Sequence, residues 1–115
     1  MHNKSGLRLG HRTDIGAFSY INAKAGVTIE DEVQSGPQCS IYSVSTIDER
    51  EAPVVLKRNC RIGTHSSVMP GVTVGENSIV GAHSFVIRDI PANCVAFGVP
   101  AKVVRRMDSN ENVLE

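Results

Sequence analysis

Aliphatic residues recur at every sixth position of this chain, in two runs that share an interval but not a phase. Leu9, Ile15, Ile21, Val27 and Val33 make the first run, closed by Cys39; Leu56, Ile62, Val68, Val74, Val80 and Val86 make the second. An interval of six fits neither a helix, at about 3.6 residues per turn, nor the simple alternation of a half-buried strand. It fits a prism wound from short strands, one strand along each side, with one aliphatic residue per side pointing inward. The prediction is therefore all-β: a parallel β-helix whose three six-residue sides make coils of about eighteen residues, about four coils in all.

Composition agrees with a thin aliphatic interior. Tryptophan is absent and aromatics total 4%, poor material for a globular core but sufficient where stacked ladders fill the space. At 115 residues there is room for one domain, residues 1–107 with a C-terminal cap, followed by a polar tail at 108–115. Charge is balanced, 12 basic against 12 acidic residues, which speaks against a nucleic-acid groove or a polybasic membrane surface. The three cysteines, Cys39, Cys60 and Cys94, have no paired spacing, and the first two fall at inward positions, so they read as small buried hydrophobes. With no apolar run in the opening MHNKSGLRLG, the expected location is the cytoplasm.

Two further columns keep the same beat. Glycine often follows the ladder residue (Gly10, Gly16, Gly63, Gly75, Gly81), where a tight corner would use its freedom at positive φ. Small residues precede it by two: Thr13, Ser19, Ala25, Cys60, Ser66, Ser78, Ser84. The phase slips between Cys39 and Leu56, and the charged stretch 45–53 carries no ladder residue, so it is expected to leave the prism as a loop on the working face. After Val86 the beat ends among Pro91, Gly98 and Pro100, and Val103–Met107 is expected to start a short capping helix. So small a prism with flat flanks predicts self-association.

The second half, from Ile62-Gly-Thr-His-Ser-Ser-Val through Pro70-Gly-Val-Thr-Val-Gly-Glu-Asn-Ser78 to Arg88-Asp-Ile-Pro91, resembles the hexapeptide-repeat acyltransferases. The resemblance is to the branch holding galactoside, maltose and xenobiotic acetyltransferases and the N-acetyltransferases of nucleotide-linked amino sugars. Gly98-Val-Pro-Ala-Lys-Val-Val-Arg105 is similar to that branch's C-terminal signature. The resemblance implies a left-handed helix, a homotrimer, acetyl-CoA as donor, and active sites in grooves between neighbouring prisms. It implies a pantetheine arm along Gly63, Thr64, Gly81, Ala82 and His83, with Lys102, Arg105 and Arg88 toward the CoA phosphates. Fixed cations suit phosphates, and small residues leave room for a thin chain. Tyr20-Ile-Asn22 is similar to the segment carrying a substrate-orienting asparagine, although Asn22 could equally cap its own turn. Many relatives have a longer N-terminal region than the one that precedes Leu9 here.

O-acetyltransferases of this branch carry a histidine in the excursion loop, which deprotonates the acceptor hydroxyl. Here the corresponding Ser45-Thr46-Ile47-Asp48 has none. An amine acceptor, more nucleophilic once neutral, relies more on positioning, with Asp48 or Glu49 as conceivable proton acceptors. The expectation is an acetyl-CoA-dependent enzyme acetylating an amino sugar, nucleotide-linked and destined for surface polysaccharide. The rivals are O-acetylation through another base and a silent binding protein. His65 and His83, eighteen residues apart, should stack roughly 5 Å apart on adjacent coils, as an acid–base pair or metal ligands. His65 is the candidate catalytic residue. No metal is expected, because His11, His65 and His83 lack the close pair of ligands of zinc-binding γ-class carbonic anhydrases.

Overall fold

The computed structural model describes residues 6–47 and 49–107; Asp48 and the polar tail 108–115 lie outside the described residues. The chain winds as a left-handed parallel β-helix with three sides. Side I stacks β1 (Leu7–Leu9), β4 (Val27–Ile29), β9 (Val54–Leu56) and β12 (Thr73–Val74). Side II stacks β2 (Asp14–Ile15), β5 (Gln34–Ser35), β10 (Arg61–Ile62), β13 (Ile79–Val80), β15 (Cys94–Gly98) and β16 (Ala101–Arg106). Side III stacks β3 (Tyr20–Asn22), β6 (Ser40–Tyr42), β11 (Ser67–Val68) and β14 (Phe85–Val86).

Strand alternation turns two positions per side inward: the ladder residue and the one two places before it. Leu9, Ile29, Leu56 and Val74 stack on side I, Ile15, Ser35, Ile62 and Val80 on side II, and Ile21, Ile41, Val68 and Val86 on side III. This corrects the register of the first run. Val27, Val33 and Cys39 are buried, but each sits two residues before its ladder member, Ile29, Ser35 or Ile41. The phase therefore slips three times: between Ile21 and Ile29, between Ile41 and Leu56, and between Val86 and Ile90 on entering the cap. Equivalent residues lie 20 apart from coil one to two and 27 apart from two to three. They lie 18 apart from three to four, and 16 apart into the cap. Every departure from eighteen is taken up where side III turns into side I; the other two corners keep six residues from ladder to ladder throughout.

The small residues two places before the ladder solve a polar problem. Ser66, Ser78 and Ser84 are buried, and their hydroxyls donate to Gly81 O, Pro91 O and Gly81 O. The same hydroxyls accept backbone N–H groups of Ser84, Cys94 and Gly98. Among the described residues, no buried side-chain nitrogen or oxygen lacks a partner. Cys39, Cys60 and Cys94 are buried free thiols.

The glycines after the ladder serve close approach of coils rather than positive φ. A Cβ on Gly63 would stand 2.5 Å from Ala82 N in the next coil. Left-handed backbone falls instead three places after the ladder, at Arg12, Glu32, Asn59, Asn77 and Asn93 on corner I–II and at Phe18, Gln38, His65 and His83 on corner II–III.

The excursion is a hairpin, β7 (Val44–Ser45) antiparallel to β8 (Arg50–Glu51), leaving the prism at corner III–I. Its base is pinned: Ala52 N donates to Ser43 O, and Ser43 Oγ donates to Asn22 O while accepting from Ala25 N. The cap is present but is not a helix. Residues 101–106 form β16, folding back antiparallel onto β15 and covering the last exposed strand edge of side II. β-Branched Val103 and Val104 suit a strand, and β15 offers the hydrogen-bonding edge that decides the outcome.

Candidate functional site

Corner II–III carries the expected imidazole pair. His65 and His83 are exposed, with ring centroids 4.8 Å apart and planes 11° from parallel. They stack because both corners hold the same left-handed conformation, φ 60° at His65 and 58° at His83, one coil apart. Histidine tolerates that conformation better than most residues, so the corner accepts imidazole without demanding it.

Thr64 lies beside this pair. Its Oγ1 is 2.7 Å from Pro37 O and 3.0 Å from His65 Nδ1.

On the side II flank of the corner runs an open trough of about 450 Å³, edged by Gly36, Gly63, Gly81 and Ala82 and floored by Arg61 and Ile79. Lys102 pairs across from Phe97, and Arg105 from Val95, so both belong to the same sheet, at its C-terminal end. Gly63, Gly81 and Ala82 thus line the trough, Thr64 and His83 stand on the corner beside it, and Lys102 and Arg105 lie at the end of the same sheet. Arg88 is not gathered with them; it stands at corner III–I after β14. Gly63 and Gly81 are fully accounted for by coil spacing, since a Cβ on Gly81 would meet Phe97 Cβ at 2.8 Å. The trough follows from that spacing, and its width and bare edge fit a thin flexible chain ending near cations.

On the side III flank, the hairpin overhangs the sheet and encloses a second space of about 450 Å³. Tyr20, Asn22, Tyr42, Thr46, Met69 and Phe85 are among its lining residues. Asn22 Oδ1 accepts Lys24 N at 3.1 Å, so the asparagine does cap its own turn, while its amide NH2 has no partner among the described residues. Tyr42 packs its ring against Tyr20 at 5.6 Å between centroids, tilted by 47°. Sequence reasoning missed Tyr42 because the 20-residue coil that brings it beside Asn22 departs from eighteen. The sequence holds no histidine in the hairpin; Glu49 is exposed there, and Asp48 lies outside the described residues.

Among the described residues, no group of three or more His, Cys, Asp or Glu side chains could hold a metal ion. Burial, reinforced by the charge of Glu30, pushes the Cys60 thiol up to about 12, so at neutral pH it is neutral. All three cysteines are buried, and the stacked imidazoles of His65 and His83 stand exposed at the corner.

Comparison with known proteins agrees with this architecture. Residues 53–88 match the bacterial transferase hexapeptide model of six repeats. Galactoside O-acetyltransferase of Escherichia coli K12 is 46% identical over 59 residues, 51% of this chain and 29% of that enzyme. The structure of a hexapeptide-repeat acetyltransferase from Vibrio cholerae, complexed with acetyl coenzyme A, superposes with a TM-score of 0.85 at 28% identity. That match covers 90% of this chain and 62% of the Vibrio chain. AntD, an N-acyltransferase from Bacillus cereus, superposes at TM-score 0.81 over 89% of this chain and 64% of AntD; at 21% identity that likeness shows the fold. The chain spans less than a third of the E. coli enzyme's length and under two thirds of the Vibrio protein's.

Proposed function

From a chain that carries the hexapeptide transferase repeat and is homologous to galactoside O-acetyltransferase, we propose an acetyl-CoA-dependent acyltransferase that acetylates an amino sugar. It works as a cytoplasmic trimer, with the groove between two prisms enclosing what one prism leaves open. The observation that carries this reading is the placement of His65 and His83 on the ridge between the trough of side II and the cleft of side III.

Acetyl-CoA supplies an acyl carbon already activated as a thioester. Gly63, Gly81 and Ala82 leave a bare edge along which its arm lies, beside Thr64 and His83, and Lys102 and Arg105 meet its phosphates at the end of the sheet. Arg88, at the far corner, reaches a phosphate only across the groove of a neighbouring copy. The acceptor ring rests against Tyr20 and Tyr42, with the Asn22 amide donating to a ring substituent. As the acceptor nitrogen bonds to the acyl carbon, the carbon–sulfur bond breaks. The nitrogen's proton passes to His65 and the electron pair leaves with the thiolate.

Nitrogen is preferred to oxygen because the hairpin residues Val44–Glu51 include no histidine, while an amine needs less assistance than a hydroxyl. A nucleotide-linked amino sugar on the way to surface polysaccharide is the acceptor we favour. A sugar hydroxyl is the second reading, favoured by the homology to galactoside O-acetyltransferase.

Calorimetric titration with acetyl-CoA, followed by free-thiol release across amino sugars and their hydroxyl counterparts, tests the proposal. Saturable binding with turnover on amines is expected. Turnover on hydroxyls alone moves the assignment to O-acetylation, and no binding at millimolar acetyl-CoA overturns the enzyme reading in favour of a silent binding protein.

A further inference from the structure

His65 has two ring nitrogens, and only one of them can take a proton from an acceptor. The contacts of Thr64 decide which. Thr64 Oγ1 lies 2.7 Å from Pro37 O, a separation at which two oxygens need a hydrogen between them. A proline carbonyl has none to give, so the hydrogen is the threonine's own and its hydroxyl is spent as a donor. The same Oγ1 lies 3.0 Å from His65 Nδ1, and with its hydrogen committed it can only accept there. The hydrogen on that contact therefore belongs to Nδ1.

Three features hold this arrangement in place. Pro37 O also accepts His65 N at 3.2 Å, tying the histidine backbone to the carbonyl that orients the threonine. The His83 ring lies over that of His65 at 4.8 Å, which opposes a flip that would exchange Nδ1 for a carbon. The backbone of Thr64 is braced from both sides, by the close approach of Gly36 in the coil before and by His83 N, which donates to Thr64 O at 2.9 Å.

We propose that Thr64 is a positioning residue for His65: the chain Pro37 C=O, Thr64 hydroxyl, His65 Nδ1–H locks the imidazole in one tautomer and leaves Nε2 as the basic atom. This is the logic by which a base is oriented by a third group, here a hydroxyl backed by a carbonyl rather than a carboxylate. It rests on the acyl transfer proposed above, in which His65 takes the acceptor's proton.

Nitrogen-15 NMR of the imidazoles at pH 8, above the usual histidine range of about 6.5, reads the tautomer without any turnover. Wild-type protein is expected to show a protonated Nδ1 and a bare Nε2 at His65. Thr64→Val, which keeps the shape and removes the hydroxyl, is expected to shift His65 toward a mixture with the Nε2–H form. Turnover should fall on the order of tenfold with the KM for acetyl-CoA within about twofold, and Thr64→Ser should restore both signals. An Nε2–H tautomer in the wild type, or a Thr64→Val protein with unchanged turnover, overturns the proposal. If no acetyl transfer is found with any acceptor, the proposed function falls while the NMR arm still decides the tautomer.

Discussion

Two corners of this prism share one backbone and spend it differently. Corner I–II places Arg12, Glu32, Asn59, Asn77 and Asn93 at its left-handed positions, and corner II–III places Phe18, Gln38, His65 and His83 at the equivalent ones. The coil-to-coil bonds match: Asn77 N donates to Arg58 O at 3.0 Å as His83 N donates to Thr64 O at 2.9 Å. On corner I–II the side chains then knit to one another. Asn59 Nδ2 donates to Asn77 Oδ1 at 2.9 Å and Asn77 Nδ2 to Asn93 Oδ1 at 3.1 Å. Arg58 bridges Glu32 and Glu76 in front of them. On corner II–III the side chains stand outward, with an imidazole stack and a phenylalanine that is 88% exposed. A backbone that needs little from the side chain at these positions lets one edge be used for cohesion and leaves the other open for the chemistry proposed above.

The comparison breaks if the chemical edge turns out to be structural. His65→Asn, which keeps a residue suited to φ 60°, is expected to lower acetyl transfer by roughly 10²–10³-fold while urea unfolding shifts by less than about 0.5 kcal/mol. A large stability loss with little loss of turnover would place His65 with the asparagines instead.

The reverse substitution belongs on the knitted edge. Asn77→Leu removes both links of the amide ladder and puts a branched side chain at φ 63°, for an expected loss of about 2–3 kcal/mol in urea unfolding. Turnover per folded molecule should be unchanged.

Alkaline pH attacks the same edge from inside. Cys60, buried just inside corner I–II, has its thiol pushed from 9.0 to about 12 by burial and the nearby Glu30. The folded protein therefore keeps a proton that the unfolded chain releases above about pH 9, so stability is full below that value and falls as pH climbs toward 12. The slope is about 1.4 kcal/mol per pH unit, and it should vanish in Cys60→Ala. A matched pair of pH-dependent unfolding series checks it.

The smallest effect sharpens the contrast. Phe18 holds an aromatic side chain at φ 61° with 88% of its surface in water, so Phe18→Asn should raise the midpoint of thermal unfolding, by several tenths of a kcal/mol in stability. A fall, measured alongside the sedimentation coefficient, would mean that another subunit covers this ring.

The prism was legible because its rule is short-ranged: eleven of the twelve positions on a six-residue beat proved to be buried or packed against the core. Leu9 is the exception at 54% exposed, in the first coil. The register was less legible, for the same reason that the fold was clear. Alternation turns both Val27 and Ile29 inward, and Ser35 occupies a ladder place without looking like one, so counting in sixes followed Val33. The stacked histidines were predictable because their coils are eighteen apart, with nothing inserted between them. The pairing of Tyr20 with Tyr42, the asparagine ladder into Asn93, and the Pro37–Thr64 contact cross coils of 20, 16 and 27 residues, and no fixed interval finds those. The cap was misread because strand or helix at Val103 depends on the hydrogen-bonding edge that β15 offers it, not on the segment alone.

One corner is left, and it behaves unlike either of the two compared. All length variation collects where side III meets side I, and the hairpin there closes on the Ser43–Ala52 bond before the chain resumes its course. What roofs the cleft is thus a spliceable part: a different segment could be set between Ser43 and Ala52 while the imidazoles, the trough and the cations stay where they are. In such a design the shape of the cleft is free to drift quickly, and the corner beside it is not.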